Sequence, residues 1–342
     1  MKKLAILGLG HIGRYVFDEL TRTAYRNQIE ISGYDISLGH DLSNREFLDS
    51  VVSKCDGVLA STPFFLNKSI AESCAIHNVD YFDLTESVEV TNYVRSLNSN
   101  SRFVTQCGLA PGMVSIIANS MAQKFDIVND IEIRVGALPQ NSSNHLQYYR
   151  TWNTEGLINE YIHSCPALRA GELVQLQPLQ DLEQVVMNGV LLEAANTSGG
   201  IGSLAESWSG LAKNVNYKTL RYPGHWSHIK FLHDDLGLKN NFDTYVKLFN
   251  ENVPVCTEDC IYILITVRGQ IDGVYTARQY SKVIMSTKQH TAIQISTGSG
   301  VLCVLDVWGA GDLNHMHGWI AQEHIPDKGI FSSQYIQPYM VS

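Results

Sequence analysis

Lys3-Leu4-Ala5-Ile6-Leu7-Gly8-Leu9-Gly10-His11-Ile12-Gly13 is an apolar run of strand length that meets three glycines at the spacing G-x-G-x-x-G. A helical pattern follows at once, with Tyr15, Val16 and Leu20 on one face. Each glycine stands where a side chain would obstruct. Gly8 permits the tight turn, Gly10 lets the backbone approach a pyrophosphate, and Gly13 lets the helix pack close on the strand. His11 and Ile12 open that helix, whose unpaired N–H groups and positive dipole end suit phosphates. A second strand, Ile29-Glu30-Ile31-Ser32-Gly33-Tyr34, ends in Asp35. That carboxylate falls about twenty residues past the glycines, where an acid accepts hydrogen bonds from both adenosine ribose hydroxyls. A 2′-phosphate there would face a like charge, so the expected cofactor is NAD rather than NADP.

The alternation continues beyond Asp35. Asp41, in a polar stretch, reads either as a partner of the adenine amino group or as a cap for a helix starting near Ser43. Asp56–Ser61 reads as a buried strand running into Thr62-Pro63, small and rigid residues against which a nicotinamide ribose can lie. A helix (67–77), a strand at Tyr81–Leu84, a helix near Val88–Leu97 and a strand at Arg102–Gln106 follow. Repeated strand–helix order means a doubly wound parallel sheet of the Rossmann type, with ligands beyond the carboxyl ends of its strands. Thr62, Asp83, Thr85, Glu86 and Cys107 all fall just past such ends.

Cys107-Gly108-Leu109-Ala110-Pro111-Gly112-Met113 is the hinge, with Pro111 suited to the first turn of a helix from about Gly112 to Lys124. Afterwards the pattern changes. Ile131–Gly136, Ile261–Arg268 and Thr291–Ser296 alternate as half-buried strands do, with helices expected at about 157–163, 242–250 and 300–309. The expected organisation is a Rossmann domain over 1–122 and an α+β substrate and dimerisation domain over 123–309. The tail, 310–342, is expected to return to the first domain.

Bulk composition narrows the function classes. The chain has 342 residues, 44% hydrophobic and 17% charged, with a net charge of −9 and no strongly basic stretch. Nucleic acid and anionic membranes are therefore not the expected partners. Seven scattered cysteines without C-x-x-C pairs suit a reducing cytoplasm. The Met-Lys-Lys start does not read as a signal peptide, because His11 and Arg14 interrupt a short apolar run already explained as a strand. The expectation is a soluble cytoplasmic protein. No metal is expected: His315-x-His317 and Cys256-x-x-x-Cys260 lack the companions a zinc site requires.

From the hinge onward the sequence resembles the saccharopine dehydrogenase superfamily, most closely its lysine 6-dehydrogenase-like branch. The resemblance is carried by Cys107–Gly112, then Gly136-Ala137-Leu138-Pro139, then Tyr149-Arg150-Thr151-Trp152-Asn153-Thr154-Glu155-Gly156-Leu157-Ile158-Asn159-Glu160-Tyr161. It continues through Leu192-Glu193-Ala194, Thr197-Ser198-Gly199-Gly200 and Tyr217-Lys218-Thr219-Leu220-Arg221-Tyr222-Pro223-Gly224-His225. It implies a nicotinamide-dependent enzyme acting on an amine-bearing carbon, with an amino acid or a polyamine-related molecule as substrate. In the lysine 6-dehydrogenase branch the ε-amino group of lysine leaves oxidatively and the semialdehyde cyclises. A homodimer or higher homo-oligomer is implied too. Ala137 and Asn153 depart from a more usual glycine and serine, which leaves the particular amine open.

Such chemistry needs a base of near-neutral pKa. His225, held after a Pro-Gly bend, is the first candidate, with Glu86 and Asp83 as alternatives or partners that orient an amine. Cys107 reads as a substrate contact or as a small residue behind the nicotinamide. Arg221 and Arg150 are the candidate clamps for a substrate carboxylate, since guanidinium pairs with it bidentately. Tyr149 and Trp152 read as pocket walls or as core of the second domain.

Overall fold

The computed structural model describes residues 1–23 and 29–341. By Cα proximity the described residues form two units, one built from the stretches within Met1–Ile116 and Ser296–Met340, the other from Ile117–Ile295 with Val341. The chain thus re-enters the first unit at Ser296, ahead of the expected return at 310.

In the first unit, strands and helices alternate: β1 (Lys2–Leu7), α1 (His11–Arg22), β2 (Ile29–Tyr34), α2 (Arg45–Val52), β3 (Gly57–Ala60), α3 (Phe64–His77), β4 (Asp80–Asp83), α4 (Val88–Ser96) and β5 (Arg102–Val104). Leu4–Leu7 and Val58–Ala60 are buried almost without trace, as strands covered on both faces must be. Local chemistry fixes the helix starts. The side chain of Asn44 accepts the Phe47 N–H at α2, and that of Ser87 accepts the Val90 N–H at α4. Ala5, Val52, Val58, Ile70, Tyr81 and Phe103 belong to one core joining the sheet to α2–α4.

The chain passes from the first unit to the second within α5 (Met113–Ala122), and the second contains β6 (Ile127–Pro139), α6 (Thr154–Ile162), β7 (Cys165–Arg169), β8 (Glu172–Leu176), β9 (Glu183–Met187), β10 (Val190–Asn196), α7 (Leu204–Ser207), β11 (Ala212–Arg221), α8 (His225–Lys230), α9 (Phe242–Asn252), β12 (Asp259–Ile271) and β13 (Val274–Met285). The second sheet has the order β13-β12-β6-β11-β10-β9, with β7 beside β11 and β8 beside β7. It is mixed, β6 and β11 running parallel and the other neighbours antiparallel. Tyr148, Leu157, Ile158, Tyr161, Trp226, Tyr245 and Phe249 form a core among α6, α8 and α9.

The chain ends with α10 (Ala292–Ala310), β14 (Gly318–Ile320) and α11 (Asp327–Ser332). β14 adds itself parallel to β5, completing the first sheet as β14-β5-β4-β3-β1-β2, parallel throughout. The expected doubly wound sheet followed by an α+β unit is what the chain forms.

Two local expectations are corrected. Thr291–Ser296 is not a strand but the start of α10. The Asp259 carboxylate accepts the N–H groups of Ala292 and Ile293 and so caps the helix, overriding a short β-branched alternation. Pro111 is not in the first turn of α5; it follows a cis peptide bond and the helix begins at Met113. Helix α10 is long and apolar enough to cross a membrane by length and composition, yet 67% of its apolar window is buried within the protein. Val301–Leu305 and Trp308 lie in the core, the position of a central helix in a globular fold.

Candidate functional site

The glycine turn closes on itself as its spacing requires. Gly8 has φ +91°, and a Cβ there would lie 2.4 Å from the Ser61 carbonyl oxygen. A Cβ on Gly13 would lie 2.0 Å from the Gly8 oxygen, so α1 is drawn against the turn. Gly10 faces open space, with nothing within 4 Å of where its Cβ would be. It also stands at the N-cap of α1 without a side-chain cap, and the first turn carries no acid. An anion therefore meets a helix N-terminus without a side-chain cap, begun by His11 and Ile12. These features fit a pyrophosphate.

Asp35 lies at the end of β2. One of its oxygens accepts the Leu9 N–H at 2.7 Å and the other the Ser37 N–H at 2.9 Å. Hydrogen bonds from Ser37 and then Leu9 hold its carboxyl below the usual range, so it is ionised and keeps lone pairs for ribose hydroxyls. Asp41 accepts from the N–H and hydroxyl of Ser43, while Asn44 caps α2; the capping alternative for Asp41 is thus taken by its neighbour. Thr62 donates to Asn67, and Pro63 precedes α3.

Asp83, Glu86 and Cys107 share the carboxyl edge of the first sheet. Asp83 is fully buried. One of its oxygens accepts the N–H groups of Gln106 (2.8 Å) and Thr85 (3.1 Å), and the other accepts the Tyr81 hydroxyl (2.8 Å). Burial lifts its carboxyl to about 6 against the pull of those donors. Asp83 therefore pins the turns after β4 and β5 and acts on position. The half-buried Glu86 precedes the capping Ser87. Cys107 is buried, its thiol pushed up by desolvation and donated to the Val104 carbonyl, which is no setting for a nucleophile.

In the second unit, Arg221 at the end of β11 and His225 at the start of α8 meet Tyr161 and Glu160 from α6. The His225 Nδ1 lies 2.9 Å from the Leu146 carbonyl, which can only accept, so Nδ1 carries the proton. Its Nε2, 3.2 Å from Tyr161, accepts that hydroxyl proton. The Tyr161 oxygen in turn accepts Nε and Nη2 of Arg221, at 3.3 and 3.2 Å. Desolvation first, and then Arg221, keep the His225 ring neutral well below the ordinary histidine range. Both of its nitrogens are occupied. In this arrangement it orients Tyr161 and the loop at Leu146.

Arg221 is 1% exposed, its guanidinium carbon 4.9 Å from the centre of the Tyr148 ring and 5.8 Å from that of Trp226. Of five N–H groups three are engaged, two with Tyr161 and one with the Leu220 carbonyl. Glu160 stands 3.9 Å away with an enclosed Oε2 that meets no donor, and burial raises its carboxyl against the pull of Arg221. Glu160 falls within the Tyr149–Tyr161 motif. Nothing in its spacing distinguishes it; only burial does.

The other expected substrate contacts have local partners. Arg150 donates Nε to Val253 O, Nη1 to Thr154 and Asn250, and Nη2 to Asn250 O, tying its loop to the end of α9. These bonds engage four of its five N–H groups. The Tyr149 hydroxyl meets the N–H and hydroxyl of Ser143. Trp152 lies against Gly156, where a Cβ would be 2.4 Å from the indole. Among the described residues no group of three or more His, Cys, Asp or Glu side chains is placed to hold a metal.

Residues 108–331 match the saccharopine dehydrogenase C-terminal domain family. The whole chain resembles apo saccharopine dehydrogenase (L-Glu forming) from Saccharomyces cerevisiae, with a TM-score of 0.75, 14% identity and 96% of each chain covered. It also resembles a homospermidine synthase from Legionella pneumophila solved with NAD, at a TM-score of 0.66, 12% identity, and 99% and 89% coverage. At these identities the two likenesses establish the fold.

Proposed function

The chain belongs to the saccharopine dehydrogenase family of nicotinamide-dependent oxidoreductases, and on that premise we propose that it oxidises the ε-amino carbon of L-lysine with NAD. The observation carrying the substrate class is the Arg221–Glu160 pair: opposite charges 3.9 Å apart, enclosed by aromatic rings, with an acid that lacks any donor. An amino acid brings a carboxylate and an amine to match. Arg221 still has two N–H groups for the carboxylate. Glu160, 3.9 Å from Arg221 with its carboxyl raised by burial, meets the α-amine beside that carboxylate, which leaves the ε-carbon at the far end of the substrate for the cofactor. His225 keeps Tyr161 and Arg221 aimed, while Asp83 and Glu86 shape the cofactor edge.

The first unit takes the dinucleotide through Gly8, Gly10, His11, Ile12, Gly13, Asp35, Thr62 and Pro63. NAD, when bound, supplies the hydride acceptor. Asp35 supports NAD over NADP by charge. All seven cysteines are free thiols, which supports a reducing cytoplasm. Association into a homodimer through the second sheet belongs to the same reading.

A second reading, reductive condensation of an amine with a carbonyl acid, is favoured by the likeness to the yeast saccharopine dehydrogenase. One experiment separates them. The purified chain is incubated with NAD and a panel of amino acids and diamines, and separately with NADH, aldehyde or keto acids and amines. Reduced cofactor appearing with lysine, with loss of ammonia, is the expected result. Turnover confined to the condensing mixtures would replace the first reading by the second, and turnover on hydroxy acids alone would sink both.

A further inference from the structure

The tail carries a buried amide that the site above does not use. β14 pairs with β5 as Gly318↔Arg102, Trp319↔Phe103 and Ile320↔Val104, so the chain leaves both strands on the same edge. Gln322 follows at once and is 3% exposed. Its Nε2 donates to the Thr105 carbonyl and lies 3.4 Å from the Cys107 sulfur, while Trp319 Nε1 donates to the Thr105 hydroxyl. Its Oε1 is enclosed and meets no donor.

Enclosing an amide oxygen without a partner costs about 1–3 kcal/mol. Turning the amide over would only move the deficit, since Thr105 would then lose its donor. The chain itself therefore supplies no donor to this oxygen. Its neighbourhood is also held under strain: Gln106 has φ +65° with its N–H on Asp83. Such strain gathers where ligands bind. A dinucleotide anchored at the β1 turn and laid along the carboxyl edge runs over β3 and β4 towards this corner. Its far end bears a carboxamide with two N–H donors.

We propose that Gln322 positions the cofactor, its side-chain oxygen accepting a hydrogen bond from the carboxamide N–H of the nicotinamide. This rests on the NAD reading above. The test is calorimetric titration of the full chain with NAD, ADP-ribose (no nicotinamide) and 3-acetylpyridine adenine dinucleotide (a ketone in place of the amide). The intact chain is expected to prefer NAD over the acetylpyridine analogue by about tenfold, the worth of one hydrogen bond. Gln322→Met should erase that preference while leaving ADP-ribose affinity unchanged. Gln322→Glu, which keeps an acceptor, should retain it. Equal affinities for NAD and the analogue in the intact chain would overturn the proposal, as would a preference surviving in Gln322→Met or lost in Gln322→Glu. A Gln322→Met chain that no longer binds ADP-ribose assigns Gln322 to structure and overturns it too. Failure of NAD and ADP-ribose alike to bind the intact chain would instead remove the NAD reading beneath it.

Discussion

Asp35 earns its ionised state from the N–H groups of Leu9 and Ser37, so its charge is fixed before any ribose arrives. Asp35→Ala should weaken NAD binding by about tenfold or more and narrow the gap between NAD and NADP. Titration with both cofactors measures it; an unchanged ratio would take Asp35 out of ribose recognition. Asp83 behaves in the opposite sense. Its folded value of about 6 exceeds the ordinary 3.8, so the folded chain holds a proton that the unfolded chain releases. The stabilisation is full below pH 4 and is lost as pH rises through 6. Asn fits the same donors, with its oxygen on the two amides and its N–H on Tyr81. Asp83→Asn should therefore raise stability at pH 8, by up to about 3 kcal/mol, and flatten the pH 4–6 slope in thermal melts. For His225 the folded value is depressed, so its contribution is present above 6.5 and lost in acid. His225→Phe should be less stable at pH 8, through two lost hydrogen bonds, and lose part of the acid slope. Melting curves from pH 5 to 8 decide it.

At the scale of elements, α6 presents both Glu160 and Tyr161, and its start depends on Asn153, whose side chain accepts the Gly156 N–H at 2.8 Å. A departure from the family's usual serine thus keeps a capping residue. Asn153→Ser should be nearly neutral and Asn153→Ala should cost about 1 kcal/mol in urea unfolding; equal costs would show that the side chain does not cap. The junction of β3 with α10 is set by size instead. A Cβ on Gly57 would lie 2.7 Å from the Trp308 ring, so Gly57→Ala should destabilise the first unit by about 1–3 kcal/mol. A melt unchanged within error would mean that the indole moves aside freely. Most of these elements are legible in the sequence, because hydrophobic period and caps are local. The start of α10 is marked locally as well, by Thr291-Ala292-Ile293-Gln294, where Thr291 Oγ1 accepts the Gln294 N–H and Gln294 Oε1 accepts the Thr291 N–H; the β-branched alternation masks that signal, and Asp259 reinforces it from a distant strand edge.

The molecule as a whole depends on its tail. Without β14, the β5 edge is unpaired and Thr105 loses both Trp319 and Gln322. Sequence alone determined the glycine turn, Asp35, the strand–helix alternation and the family blocks, because each is written in neighbouring residues and obeys backbone sterics. It also brought Arg221 and His225 into view. Only tertiary structure decided that His225 is neutral with both nitrogens taken, that Arg150 is spent on α9, and that Glu160 and Gln322 hold oxygens without donors. Those properties come from desolvation and from partners far along the chain. A side chain's charge and its unmet hydrogen bonds are set by what surrounds it, and the sequence near it does not carry that information.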